Sequence, residues 1–135
     1  MEIKKFLDFL PINFRHEKNF FIQHNLTDFE KLSNLSDQDI NKIQRKSSLC
    51  TLNNLKKIRA IALLKKEIGI SPAQAYLLLH CGISSIKSLS LATPHELERK
   101  IGRLERILRV KTETDKTLTV LKEWIKKASQ IYKSI

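Results

Sequence analysis

The residues in this chain that could do chemistry are its cations. From Lys42 to Lys66 stand eight basic side chains, Lys42, Arg45, Lys46, Lys56, Lys57, Arg59, Lys65 and Lys66, with no acid among them. A second cluster runs through KIGRLERILRVK, where Lys100, Arg103, Arg106, Arg109 and Lys111 follow Arg99 and meet one acid, Glu105. Arg103, Arg106 and Arg109 step by three, so a helix opening after Gly102 sets them along one side while Leu104, Ile107 and Leu108 turn inward. Such cations grip phosphates, and an Arg just after a glycine sits beside backbone donors at a helix start. The formal net charge is +11 and is unevenly placed. Residues 1–40 hold five basic and seven acidic side chains, net −2, which leaves +13 for residues 41–135. That asymmetry points to a polyanionic partner. The bland alternative is compositional bias, since Lys outnumbers Arg 18 to 7.

Nothing catalytic stands beside these cations. There is no GxxxxGK[ST] loop, no HExxH, no GxSxG and no carboxylate pair in apolar surroundings. The reading is of a protein that is not an enzyme and needs no cofactor or small-molecule substrate. His16, His24, His80 and His95 are scattered, so no metal set is legible. Cys50 and Cys81 lie in apolar, helix-like contexts and read as reduced, buried thiols of a cytoplasmic protein. The N-terminus has no signal-peptide pattern, and the longest uncharged run, Ile68 to Ile86, contains Ser71, Gln74, His80 and two glycines, which a bilayer helix bears poorly. A soluble protein without a membrane partner follows.

The elements that must position the cations are short helices with written starts and stops. At 135 residues the chain suits one all-α domain that needs no staple. Ile3, Phe6, Leu7 and Leu10 give an amphipathic helix over Met1–Leu10, and Pro11 ends it. A second helix runs from Phe14 to His24 with Phe20, Phe21 and Ile22, and Asn25 is its left-handed stop. Leu26, Phe29 and Leu32 form a short apolar face, and Ser36 then caps a helix whose first turn holds Asp37 and Asp39. A connecting helix, about 51–67, turns Leu52, Leu55, Ile58, Ile61 and Ala62 to the core and leaves a basic side exposed. Ser71-Pro72-Ala73-Gln74 opens the next helix as a capping box with Pro at its first position, and Gly82 ends it. Tyr76 within it reads as a buried ring. Thr93-Pro94-His95-Glu96 opens another helix, and Gly102 is read as its stop. A final helix, about 116–133, docks through Trp124.

An offset of 57 residues lays the first half over the second. Asn25 falls on Gly82, Leu26 on Ile83, Phe29 on Ile86, Leu32 on Leu89, Ser36 on Thr93 and Asp39 on Glu96. The chain therefore divides into a first repeat at about 12–45, the connecting helix, a second repeat at about 68–110 and the C-terminal helix. Ile12 and Phe14 occupy the positions of Gly69 and Ser71, so the first copy lacks the glycine turn and reads as core-building.

A helix ending in Gly69-Ile70-Ser71, a helix opening with Pro72, then Gly82-Ile83 and a helix opening with Thr93-Pro94-His95-Glu96-Leu97 resembles the helix-hairpin-helix group of domains. More narrowly, it looks like an uncharacterised bacterial and cyanobacterial family built on the hairpin seen in recombinase N-terminal domains, and the closing WIKKA segment is similar as well. The resemblance implies a compact array of short helices with two degenerate hairpin repeats plus a C-terminal helix. It also implies phosphate binding by hairpin amides, which here maps onto Gly69, Ile70, Ser71 and Gln74. Ser71 stands where that pattern has its second glycine, and a Cβ there limits the approach of a phosphate. The expected function is a non-catalytic, sequence-independent module for DNA or RNA. Its contacts are those hairpin residues with Lys56, Lys57, Arg59, Lys65 and Lys66, and Gly102 with Arg103, Arg106 and Arg109. The alternative is an adaptor whose basic face docks an acidic protein.

Overall fold

A computed structural model describes residues 6–7, 10–108 and 118–133. Among these residues the fold is all-α, with eight helices and no strand. A 3-10 turn at Ile12–Phe14 leads into α1 (Arg15–Gln23), followed by α2 (Phe29–Ser33), α3 (Asp37–Lys46) and α4 (Leu52–Ile68). The second half repeats the order with α5 (Pro72–His80), α6 (Ile86–Ser90), α7 (Pro94–Leu108) and α8 (Leu118–Lys133).

The duplication is carried by the backbone as well as by residue type. Helices α1, α2 and α3 begin at 15, 29 and 37, and α5, α6 and α7 at 72, 86 and 94, each 57 residues later. Both first helices end in the same left-handed turn: Asn25 has φ 56° and Gly82 has φ 87°. The residue after each donates five positions back, Leu26 N–H to Phe21 at 2.8 Å and Ile83 N–H to Leu78 at 2.9 Å, the closure that satisfies the last helical carbonyls. Asn replaces Gly at this turn because it tolerates the left-handed region better than other side chains. The short helices are nucleated by their caps. Asp28 accepts from the Glu30 amide, and Ser85 and Ser88 form a reciprocal capping box at α6. A Ser at the third helical position replaces the usual Glu or Gln, which is why no start was legible there.

Each unit contains a fourth helix. The five-residue α2 packs on α4, and the equivalent α6 packs on α8, so a helix too short to stand alone is held by the long helix that closes its own unit. Helix α4 also touches α5 and α8, and so joins the two units. Ala60, Ile61 and Ala62 are consecutive and all buried, which requires α4 to be covered on more than one side. Leu55, Ile58, Ile61 and Leu64 are fully enclosed. Truncating any of them to alanine is expected to cost about 2–5 kcal/mol.

Three expectations are corrected. Gly102 does not stop a helix: α7 runs through it, and only Gly69 and Gly82 among the glycines have positive φ. Leu97, Ile101 and Leu104 continue one apolar stripe across it, and that burial outweighs the roughly 1 kcal/mol a mid-helix glycine costs. In the continuous helix Ile107 falls on the flank of that stripe and is exposed. Leu52, in the first turn of α4, is also partly exposed, because the core face begins at Leu55. The N-terminal helix expected over Met1–Leu10 lies mostly outside the described residues; Phe6, Leu7 and Leu10 are buried.

An added Cβ meets nothing within 4 Å at Gly69, Gly82 or Gly102, so backbone conformation alone decides what alanine does there. Gly102→Ala should raise stability by about 0.5–1 kcal/mol in urea unfolding, while Gly69→Ala and Gly82→Ala should each lower it by about 1–2 kcal/mol. A loss at Gly102 matching that at Gly69 would place a helix end there.

Candidate nucleic-acid interface

The basic helix α4 is fixed along its length by polar contacts. At its start, Thr51 caps the Asn54 amide, and the buried Glu17 of α1 accepts from the Thr51 amide at 2.9 Å and from Asn54 Nδ2 at 3.3 Å. A carboxylate at a helix N-terminus meets both unpaired amides and the positive end of the helix dipole. Near its middle, Arg59 Nη1 donates to the Leu35 carbonyl at 3.0 Å and pairs with Asp37 Oδ1 at 2.9 Å, which ties α4 to the turn between α2 and α3. At its end, Gly69 closes the helix with its amide on the Lys65 carbonyl at 3.0 Å, and Lys127 Nζ of α8 reaches the Ile68 carbonyl at 3.4 Å.

So held, α4 presents Asn53, Lys56, Lys57, Ala60 and Leu63 at helical spacing as one wall of a surface groove of about 620 Å³. Ser33 at the end of α2 and Ser84 in the α5–α6 turn line it from the two repeats. No acidic residue lines this groove. Lys56 is exposed, Lys57 is half-buried, and neither pairs with an acid of the described residues. Arg59 belongs to the groove wall, but its charge is shared with Asp37. Asn53, Ser33 and Ser84 were not legible as site residues, because uncharged polar side chains carry no signal until the fold places them beside lysines.

The other expected site residues are placed differently. Lys65 lies over the Phe29 ring, 4.9 Å from its centroid, and Lys66 is exposed further along α4. In the hairpin, Ile70 is buried and Gln74 nearly so. The capping box uses the Ser71 amide on Gln74 Oε1 and the Gln74 amide on Ser71 Oγ, both at 3.2 Å. With Gly69, three of the hairpin amides are thus paired within the chain. Arg103 and Arg106 are exposed on α7 with Arg99 on the same side, opposite Leu97, Ile101 and Leu104. Because α7 is continuous, Gly102 and Arg103 offer no helix-start donors. No α7 residue lines the α4 groove. Arg109 lies outside the described residues. Tyr76 is half-buried, edge-on to Phe14 with centroids 6.0 Å apart.

Both cysteines are free thiols. Burial pushes each up from its ordinary range; the Ser47 hydrogen bond opposes this at Cys50, and Lys100 does so at Cys81. No three His, Cys, Asp or Glu side chains among the described residues are grouped to hold a metal, and no described helix is long and apolar enough to cross a membrane.

Residues 11–131 match the family model DUF4332, a domain of unknown function. The chain belongs to that family. The matched segment begins before α1 and ends within α8, so a DUF4332 unit holds both repeats together with the long helices that close them. No curated protein and no solved structure matches the chain.

The polar ties divide the cations of α4 into structural and free. Arg59→Ala is expected to lower stability by about 1–2 kcal/mol and Glu17→Ala by about 1–3 kcal/mol, since each removes a hydrogen-bonded charge from a half-buried or buried position. Lys56→Ala and Lys57→Ala should stay within about 0.5 kcal/mol of the parent. Urea midpoints of the four variants test this, and equal losses at Lys56 and Arg59 would contradict the division.

Proposed function

We propose that this protein is a non-catalytic, largely sequence-independent nucleic-acid-binding module of the helix-hairpin-helix type, acting in a bacterial cytoplasm. The observation that supports it is the acid-free groove on α4, where Lys56, Lys57 and Arg59 stand beside Asn53, Ser33 and Ser84. Lysines on flexible stems act as point charges toward phosphate oxygens and make the stronger bonds, and Asn53 and Ser84 add neutral donors beside them, while the Ser33 hydroxyl is engaged with the Glu30 carbonyl at 2.7 Å. Arg59, fixed by Leu35 and Asp37, adds a positioned charge rather than a mobile one. Such a surface reads phosphate more than base sequence, because its mobile cations are lysines, which act as point charges. Arg99, Arg103 and Arg106 form a second exposed row on α7 for the same backbone.

An acidic protein partner is the second reading. What favours it is the internal use of the Gly69, Ser71 and Gln74 amides, which leaves the hairpin less to offer a phosphate.

Fluorescence anisotropy of labelled DNA and RNA across a salt series separates the two. Log affinity should fall linearly with log salt, and Lys56→Gln with Lys57→Gln should flatten that slope by about two units while weakening binding to unrelated sequences alike. Arg103→Gln with Arg106→Gln should act in the same direction. Affinity and slope unchanged in the lysine pair would remove the groove from the interface, and binding restricted to one acidic protein with fixed stoichiometry would favour the adaptor.

A further inference from the structure

A second basic cleft lies in the first repeat, between α1 and α3. Two adjoining hollows of about 340 and 330 Å³ share Phe20, His24 and Lys46. The His24 ring stacks on Phe20 with centroids 3.9 Å apart and planes 17° from parallel. Its Nδ1 donates to the Phe20 carbonyl at 2.9 Å, which fixes the ring. Phe20 is buried whereas His24 is exposed, so the ring is backed on one face by the core and open to solvent. Lys42 and Lys46, one turn apart on α3, line the same cleft. Its acid, Asp39, is engaged: Oδ2 accepts from the Ser36 amide at 3.0 Å, which holds its carboxyl below the usual range.

The fold makes this cleft twice. Shifted by 57 residues, His24, Leu26, Leu35, Asp39 and Ile43 become Cys81, Ile83, Ala92, Glu96 and Lys100, and all five line a smaller cleft of about 160 Å³ in the second repeat. There a thiol replaces the imidazole and no ring stack exists. The wide, ring-floored version is peculiar to the repeat that lacks the glycine turn.

We infer that the first-repeat cleft is a nucleotide site for single-stranded nucleic acid, in which a base stacks on the open face of His24 while Lys42 and Lys46 hold successive phosphates. A fixed aromatic plane beside cations one turn apart is the arrangement that receives an unpaired base, and it is of no use to a duplex, whose bases are already stacked. The inference rests on the nucleic-acid reading above and names its substrate as single-stranded.

The test compares a short single-stranded oligoadenylate with a G·C-rich duplex long enough to stay paired at the working concentration, by anisotropy, for the full chain and three variants. His24→Ala should weaken the single strand about tenfold and leave the duplex unchanged, His24→Phe should restore the single strand, and Lys42→Gln with Lys46→Gln should weaken it with a reduced salt slope. Proton NMR of the parent adds a direct readout, because a stacked adenine moves the His24 ring protons upfield. Binding by the parent with no effect of His24→Ala, or equal losses on duplex and single strand, overturns this site and leaves the α4 groove standing. No binding of either oligonucleotide by the parent overturns both.

Discussion

Everything in this fold hangs on one helix being held from three directions. Helix α4 is anchored by the Glu17 carboxylate at its first turn, by the Arg59 guanidinium on the α2–α3 turn, and by Lys127 at its last carbonyl. These contacts come from α1, the α2–α3 turn and α8, and they fix both where α4 lies and how it is rotated. Hydrophobic burial alone would leave rotation loosely set, because a helix with Ala60, Ile61 and Ala62 all enclosed has core on several sides. The Glu17 and Arg59 charges that are drawn inward each have a hydrogen-bond partner, and Lys56 and Lys57 are left to line one groove.

Duplication explains why the architecture closes. A five-residue helix has no independent stability, and α2 and α6 each persist because a sixteen- or seventeen-residue helix of the same unit lies across them. The two units then share α4, which packs on its own short helix and also on α5 and α8 of the other unit. The groove at Lys56 and Lys57 is a product of that sharing: Ser33 comes from one unit and Ser84 from the other. A single repeat could not form it.

Much of the fold was legible because its signals are local. Asn25, Ser36, Ser71 and Gly82 act within one turn of themselves, and the offset of 57 residues holds at the start of three successive helices. Gly102 misled because a glycine is a stop only where the apolar stripe ends, and Ile101 and Leu104 carry the stripe past it. The site was less legible. Glu17 meets Thr51 across 34 residues, and Arg59 meets Leu35 across 24. Such pairings leave no local pattern, so the sequence could not separate the arginine that holds the fold from the lysines that face the groove. For the same reason the first repeat read as core-building, although its Phe20–His24 stack and Lys46 form a cleft visible only when α1 and α3 are brought together.

We propose the free lysines of the shared helix, and not the α7 arginines, as the principal polyanion surface. Nitrogen–proton NMR of the isotopically labelled chain, titrated with a short unlabelled oligonucleotide at low salt, addresses it directly. The largest amide shifts are expected at 53–63 of α4 and at Ser33 and Ser84, with smaller ones along α7. Shifts centred on Arg99, Arg103 and Arg106 with α4 unmoved, or no shifts at all, would contradict it.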